Sequence, residues 1–156
     1  MSKRFWLMKS EPDVFSIDDL EKRPEQCELW DGVRNYQARN FMMNDMKVGD
    51  EVLFYHSNAE PSGVAGLATV AKEAIPDPAQ FNKKSEYFDP KATVEKPRWF
   101  CVTVKFKQKF KNFVPLSLIK ETSELSEMLL VQKGSRLSII PVTEKEFRCI
   151  LSLGKA

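Results

Sequence analysis

Between Glu51 and His56 the chain carries Val52, Leu53, Phe54 and Tyr55 without a polar break. Successive side chains of a strand point to opposite faces, so a strand with this pattern has to be covered on both sides. Val48-Gly49-Asp50 supplies a tight turn in front of it. Behind it, the turn-like link Ser57–Ser62, with Pro61, leads into a second strand-like stretch, Gly63–Ala74. So short a link joins antiparallel neighbours. Gly63 and Gly66 in the second stretch predict a bend or a close backbone approach.

The other segments are arranged around this pair. Phe5-Trp6-Leu7-Met8 is a short apolar strand, which Lys9-Ser10-Glu11-Pro12 ends. Ser16 followed by Asp19 resembles a capping box for a short helix over Ile17–Lys22, closed by Pro24. Asn35 can cap the next helix. Ala38, Phe41, Met42 and Met46 share one apolar face over about Tyr36–Met46. Arg98–Phe110 alternates again, with Phe100, Val102, Val104 and Phe106 on one side. Short helices are expected at Leu116–Lys120 and, behind a Ser123 cap, at Glu124–Leu130. Gly134–Ser138 reads as a loop, and Thr143 with Glu146 opens a last helix to about Leu153. Ile75–Pro97 holds Pro76, Pro78, Pro90 and Pro97 and little periodicity. A loop of that length is uncommon unless it is functional or packed by its own aromatics, here Phe81, Tyr87 and Phe88. No regular βαβ pattern occurs, so the class is α+β, one domain over 1–156, with a curled, mostly antiparallel sheet and peripheral helices.

Composition excludes several classes. At 42% apolar and 29% charged residues the chain is an ordinary globular one. No run approaches the roughly 20 apolar residues of a membrane span. The basic start Met1–Arg4 is followed by an apolar run that stops at Met8, unlike a signal peptide, and the expected location is cytoplasmic. Cys27, Cys101 and Cys149 are far apart and His56 is the single histidine, so no structural zinc site is expected. No glycine-rich phosphate loop occurs, and no cofactor is expected. Net charge is only +2, yet Lys96–Lys120 contains seven basic residues and no acid. That stripe has two readings: a track for a phosphate backbone, or lysines that keep a solvated strand edge from aggregating.

Trp30-Asp31-Gly32-Val33-Arg34-Asn35 concentrates an indole, a carboxylate, a guanidinium and an amide beside a flexible glycine. Such a set suits a flat polar ligand. Trp6 and Trp99 lie inside strand-like segments and are expected in the core, whereas Trp30 sits at a strand end and is expected to line a pocket. His56, in Tyr55-His56-Ser57-Asn58, could act as a base or a base-reading hydrogen-bonder, or be an ordinary histidine satisfied by backbone.

Four segments together resemble the EVE domain family: Trp6–Pro12, Trp30–Asn40, Phe54–Asn58 and Ser135-Arg136-Leu137-Ser138. Tyr87-Phe88-Asp89-Pro90 and Pro97-Arg98-Trp99-Phe100 fit the same pattern, so the resemblance runs from Phe5 to Leu153. It implies a PUA-like fold, a small curled β-barrel flanked by short helices, and kinship with the YTH domains that bind methylated adenine in RNA. It also implies a non-catalytic reader of a modified cytosine or adenine in DNA or RNA. Carried onto this sequence, the pocket would comprise Lys9, Ser10, Glu11, Trp30, Asp31, Val33, Arg34, Asn35, His56, Ser57, Asn58, Arg136, Leu137 and Ser138. The long polar N-terminal extension of the nuclear animal member is missing here, which points to a stand-alone bacterial member; a monomer is expected. Two other classes stay open: a nucleic-acid hydrolase using His56 with Asp31 or Glu11, and a protein-interaction module.

Overall fold

The computed structural model describes residues 3–132 and 137–155. Six strands form one sheet in the order β2-β5-β4-β3-β1-β6. They are β1 (Phe5–Ser10), β2 (Cys27–Leu29), β3 (Glu51–His56), β4 (Gly63–Pro76), β5 (Phe100–Pro115) and β6 (Ile139–Val142). The β3–β4 pair is antiparallel, as its short link requires, and Leu53 faces Leu67 across it. The sheet is nevertheless mixed, because β1 runs parallel to β3 with Leu7 opposite Leu53 and Ser10 opposite His56. A parallel pair needs a long crossover, and residues 11–50 supply it.

The near-continuous apolar pattern of β3 has the expected consequence. Val52 and Phe54 join Trp6, Met8, Trp30, Met42 and Val104 in one core. Leu53 and Tyr55 join Leu7, Val64, Phe110, Ile119, Phe147 and Ile150 in a second core on the opposite face. Curvature comes from register shifts, including those between Val64 and Gly66 and between Val70 and Lys72, since bulges increase local twist. At Gly66 a Cβ would stand 2.4 Å from the Gln108 carbonyl oxygen, the close backbone approach that its glycine predicts. The small curled β-barrel that the resemblance implies is not closed here: β2 and β6 end the sheet without pairing to each other among the described residues.

Helices α1 (Ile17–Lys22) and α4 (Glu144–Gly154) begin at full capping boxes, Ser16 with Asp19 and Thr143 with Glu146. Helix α2 (Tyr36–Asn40) is capped by Asn35 and continues as a wider turn, Phe41–Asp45, in which Met46 N–H donates to the Phe41 carbonyl. Helix α3 covers Leu116–Glu121. The helix expected over Glu124–Leu130 is instead two single 3-10 turns, Ser123–Leu125 and Leu129–Val131. Ser123 lies inside the first turn and its hydroxyl donates to Glu124 instead of capping, and burial of Leu125 and Met128 is satisfied without a continuous helix. Strand β6 has no alternating signature; it lies on an edge, where Pro141 costs no ladder bond.

Trp6 is a core residue, 2% exposed, and its Nε1 donates to buried Asp50 at 3.0 Å. Trp99, just ahead of β5, is buried too, but its indole stacks on Tyr36 and donates to Asp89 at 2.8 Å. No helix of the described residues is long and apolar enough to cross a membrane.

Candidate functional site

Strand β2 ends at Leu29, and the next residues turn along the sheet. Trp30 N–H donates to the Val102 carbonyl at 2.9 Å, which holds the indole at the strand end. Gly32 then adopts φ +81°, and a Cβ there would lie 2.8 Å from the Tyr87 ring. Both its conformation and the space demand glycine. Its N–H donates to Asp77 Oδ2 at 2.8 Å. Arg34 follows, with Nη1 3.0 Å from the same oxygen, and Asn35 closes the segment by capping α2.

Asp77 organises this loop from outside it. It is 1% exposed at the end of β4 and also accepts from Ala79 N–H at 2.8 Å. Nothing in its immediate sequence, Ile75-Pro76-Asp77-Pro78, marks it as more than a turn residue. Gln80 is fully buried: its Nε2 donates to the carbonyls of Asp77 and Trp99, and its Oε1 accepts from the N–H groups of Arg98 and Trp99. Those four bonds tie the two ends of the proline-rich loop together and fix where Tyr87 comes down.

A cavity of about 540 Å³ opens beside Trp30. Of the residues expected at a pocket, Lys9, Ser10, Glu11, Trp30, Asp31, Val33, Arg34 and Ser138 line it. Val14, Phe15, Glu28, Leu29, Gly32, Glu86 and Tyr87 complete the lining. The parallel β1–β3 pairing carries Lys9 and Ser10 to this end of the sheet, and the Lys9 N–H donates to the Ser138 carbonyl at 2.8 Å.

Five of the expected pocket residues do not line the cavity. Asn35 is spent on its cap. Leu137 packs against the core of the opposite sheet face. Ser57 N–H donates to the Ser10 carbonyl, and Asn58, a turn residue at φ +49°, donates from Nδ2 to Glu11 Oε1 at 3.0 Å. These two support the wall from behind. Arg136 lies outside the described residues. His56 Nε2 accepts from Ile17 N–H at 3.1 Å, so the imidazole satisfies the start of α1. With its acceptor nitrogen occupied and its ring packed near Phe54 and Phe113, His56 makes no acid–base set with Asp31 or Glu11 in the cavity.

Burial of His56 lowers its pKa, Lys109 adding to the effect while Asp18 and Asp19 oppose it. The folded chain therefore holds this proton less tightly than the unfolded chain, and protonation removes the acceptor for Ile17. The stability from this bond is present above the ordinary histidine pKa of about 6.5 and is lost as pH falls through the lower folded value. The expected loss is about 1 kcal/mol, one hydrogen bond. Urea melts of wild type and His56→Phe between neutral and mildly acidic pH test it: the wild-type curve should fall more steeply, and parallel curves would refute the assignment.

The charge of the cavity differs from the basic wall that a phosphate grip would need. Among the described residues, Glu11, Glu28, Asp31 and Glu86 oppose Lys9 and Arg34. Burial raises the pKa of Asp31, helped by neighbouring Asp77, and burial likewise raises that of Glu28. Desolvation lowers that of Lys9. Arg34 has little left for a ligand. Its Nε and Nη2 donate to the Tyr87 carbonyl and its Nη1 to Val33 and Asp77. Its guanidinium lies 5.4 Å from the Tyr87 ring centre and 5.2 Å from that of Trp99. Arg39 is similarly engaged by Asn40 and the Arg98 carbonyl. Trp30 is 8% exposed and edge-on to Phe15 and Phe54, so most of its ring is core. Tyr87 also lines the cavity and is 39% exposed, a more accessible residue than Trp30. Its place was not legible from spacing, because only the folded loop delivers it.

On β5, Lys105, Lys107, Lys109 and Lys111 are all exposed. Lys107 pairs with Glu51 and Lys109 with Asp18, each at 2.8 Å. Two of these four lysines are thereby neutralised within the fold.

Residues 4–153 match the family described as the EVE domain. Thymocyte nuclear protein 1 of Homo sapiens is 44% identical over 165 residues, covering 95% of this chain and 72% of that protein. Among solved structures, a Pseudomonas syringae protein is 49% identical with a TM-score of 0.90, covering 96% of this chain and 98% of that one. Human THYN1 in complex with 5-methylcytosine-containing DNA is 43% identical with a TM-score of 0.91, covering 99% of each chain.

Proposed function

This chain belongs to the EVE domain family, and on that premise we propose that it is a non-catalytic reader of modified cytosine in DNA, holding the base in the cavity beside Trp30. The observation that carries the reading is the complex of human THYN1 with 5-methylcytosine-containing DNA, a structure that superposes on this chain over 99% of its length. The chemistry of the cavity supports it. Carboxylates at Asp31 and Glu28 repel phosphate but accept from an exocyclic amine. Cytosine carries such an amine at N4, whereas thymine presents a carbonyl at the same place and would set one acceptor against another.

A base can enter only by leaving its stack, which costs a few kcal/mol. Stacking on an aromatic ring returns roughly 1–3 kcal/mol. Tyr87 offers that ring, backed by Arg34, while Trp30 forms the floor. Lys9 can donate to a ring nitrogen or carbonyl of the base. A methyl group in an apolar corner adds only about 1–3 kcal/mol, so the preference for a methylated base is modest.

Titration of matched duplexes that differ only in one 5-methyl group, followed by fluorescence anisotropy at fixed salt, tests this. The methylated duplex is expected to bind about tenfold more tightly, within the range for one apolar group. Asp31→Ala is expected to abolish the preference for 5-methylcytosine over thymine, which also carries the methyl. Equal binding of methylated and unmethylated duplexes by the wild-type chain would overturn the proposal.

A further inference from the structure

The turn Glu11–Phe15 forms one lip of the cavity. Val14 N–H and Phe15 N–H both donate to the Glu11 carbonyl, at 2.9 and 2.8 Å. Ser10 Oγ donates to the Phe15 carbonyl at 2.5 Å, and Glu11 is held in turn by Asn58. Phe15 anchors the turn against Trp30 and Phe54. At its tip Val14 is 76% exposed yet lines the cavity. Val48 and Val94 are exposed as well, but neither lines the cavity. A tightly braced turn thus holds a branched apolar side chain in water at the mouth of a polar cleft. Glu11 and Asp13 on the same turn are exposed carboxylates, so this lip has nothing to offer a phosphate. What it offers is a stiff apolar tip.

We propose that Val14 is a wedge that enters the base stack of duplex DNA and fills the gap left by the base taken into the cavity. The proposal rests on the reading of that cavity as a base pocket. Taking a base out of a duplex leaves a void between its neighbours, and apolar side chains placed between base steps are a general means of occupying such a void. A single strand has no stacked gap to fill, so the contribution of Val14 depends on the strandedness of the target. The turn also answers for its exposure: the side chain is bare until DNA covers it.

The test compares wild type, Val14→Ser and Val14→Ile on one 5-methylcytosine oligonucleotide, as a duplex and as a single strand, with the thermal midpoint of each protein recorded. Val14 is exposed, so the variants are expected to melt with wild type. Val14→Ser should lose about tenfold on the duplex, as one apolar contact would, and less than a third of that factor on the single strand. Val14→Ile should retain the duplex affinity. Equal losses on both targets, or an unchanged duplex affinity in Val14→Ser while the preference for the methylated base persists, would overturn the wedge alone. A wild-type chain indifferent to methylation on either target would overturn the base-pocket reading, and the wedge with it.

Discussion

Asp77→Ala is expected to lower the unfolding free energy by about 3–5 kcal/mol, the cost of removing one partner from a buried, hydrogen-bonded charge pair. Asp77 is 1% exposed and accepts from Gly32 N–H, Arg34 Nη1 and Ala79 N–H. Alanine would leave Gly32 N–H and Ala79 N–H without an acceptor and strip one of its two bonds from the charged Arg34 Nη1. Asp77→Asn keeps the shape and one acceptor oxygen, and its expected cost is smaller, about 1–3 kcal/mol. Urea denaturation of the two variants checks the order. The Arg34 guanidinium, released from Asp77, should also let go of the Tyr87 carbonyl, so methylated-DNA binding should weaken in Asp77→Asn even where the chain is fully folded. A cost below about 1 kcal/mol for Asp77→Ala would show that the loop is held elsewhere.

Gln80→Ala is expected to cost about 3 kcal/mol, because buried donors and acceptors stripped of partners cost about 1–3 kcal/mol each and some regain water. Gln80 is 0% exposed, and its amide bridges Asp77 to Arg98 and Trp99 across the loop. Without it the two ends of the loop lose their common partner, and the segment carrying Tyr87 should open before the sheet does. Limited proteolysis should then cut between Asn82 and Lys96 at a denaturant concentration where wild type is intact. Protection equal to wild type would assign the loop's order to Trp99 and Asp89, which share a 2.8 Å hydrogen bond, and not to the amide.

The fold was legible wherever the signal was local. Ser16 with Asp19 and Thr143 with Glu146 mark helix starts because the capping groups lie within one turn of the donors that they satisfy. The unbroken Val52–Tyr55 run required two cores, and two are present. Pairing was less legible. The β1 segment looks the same whether its neighbour runs parallel or antiparallel, so the β1–β3 arrangement and the open sheet emerged only from the fold. Strand β6 is too short to alternate. The helix expected after Ser123 did not form because Ser123 makes no cap: it lies inside a single turn and its hydroxyl donates to the neighbouring Glu124.

The candidate site divides along the same line. The sequence by itself determined that Trp30–Asn35 is a loop of ligand-type groups and that the first strand stops ahead of Pro12. Each follows from residue type and immediate neighbours. Tertiary structure decided which of these groups are free. It committed Arg34 to Asp77 and Tyr87, and it committed His56 to the start of α1, since a buried donor takes the nearest acceptor at once. It also brought Tyr87 and Val14 to the cavity from segments that spacing could not connect. A side chain's chemistry is a property of the residue, but its availability depends on which buried polar groups the fold leaves without other partners.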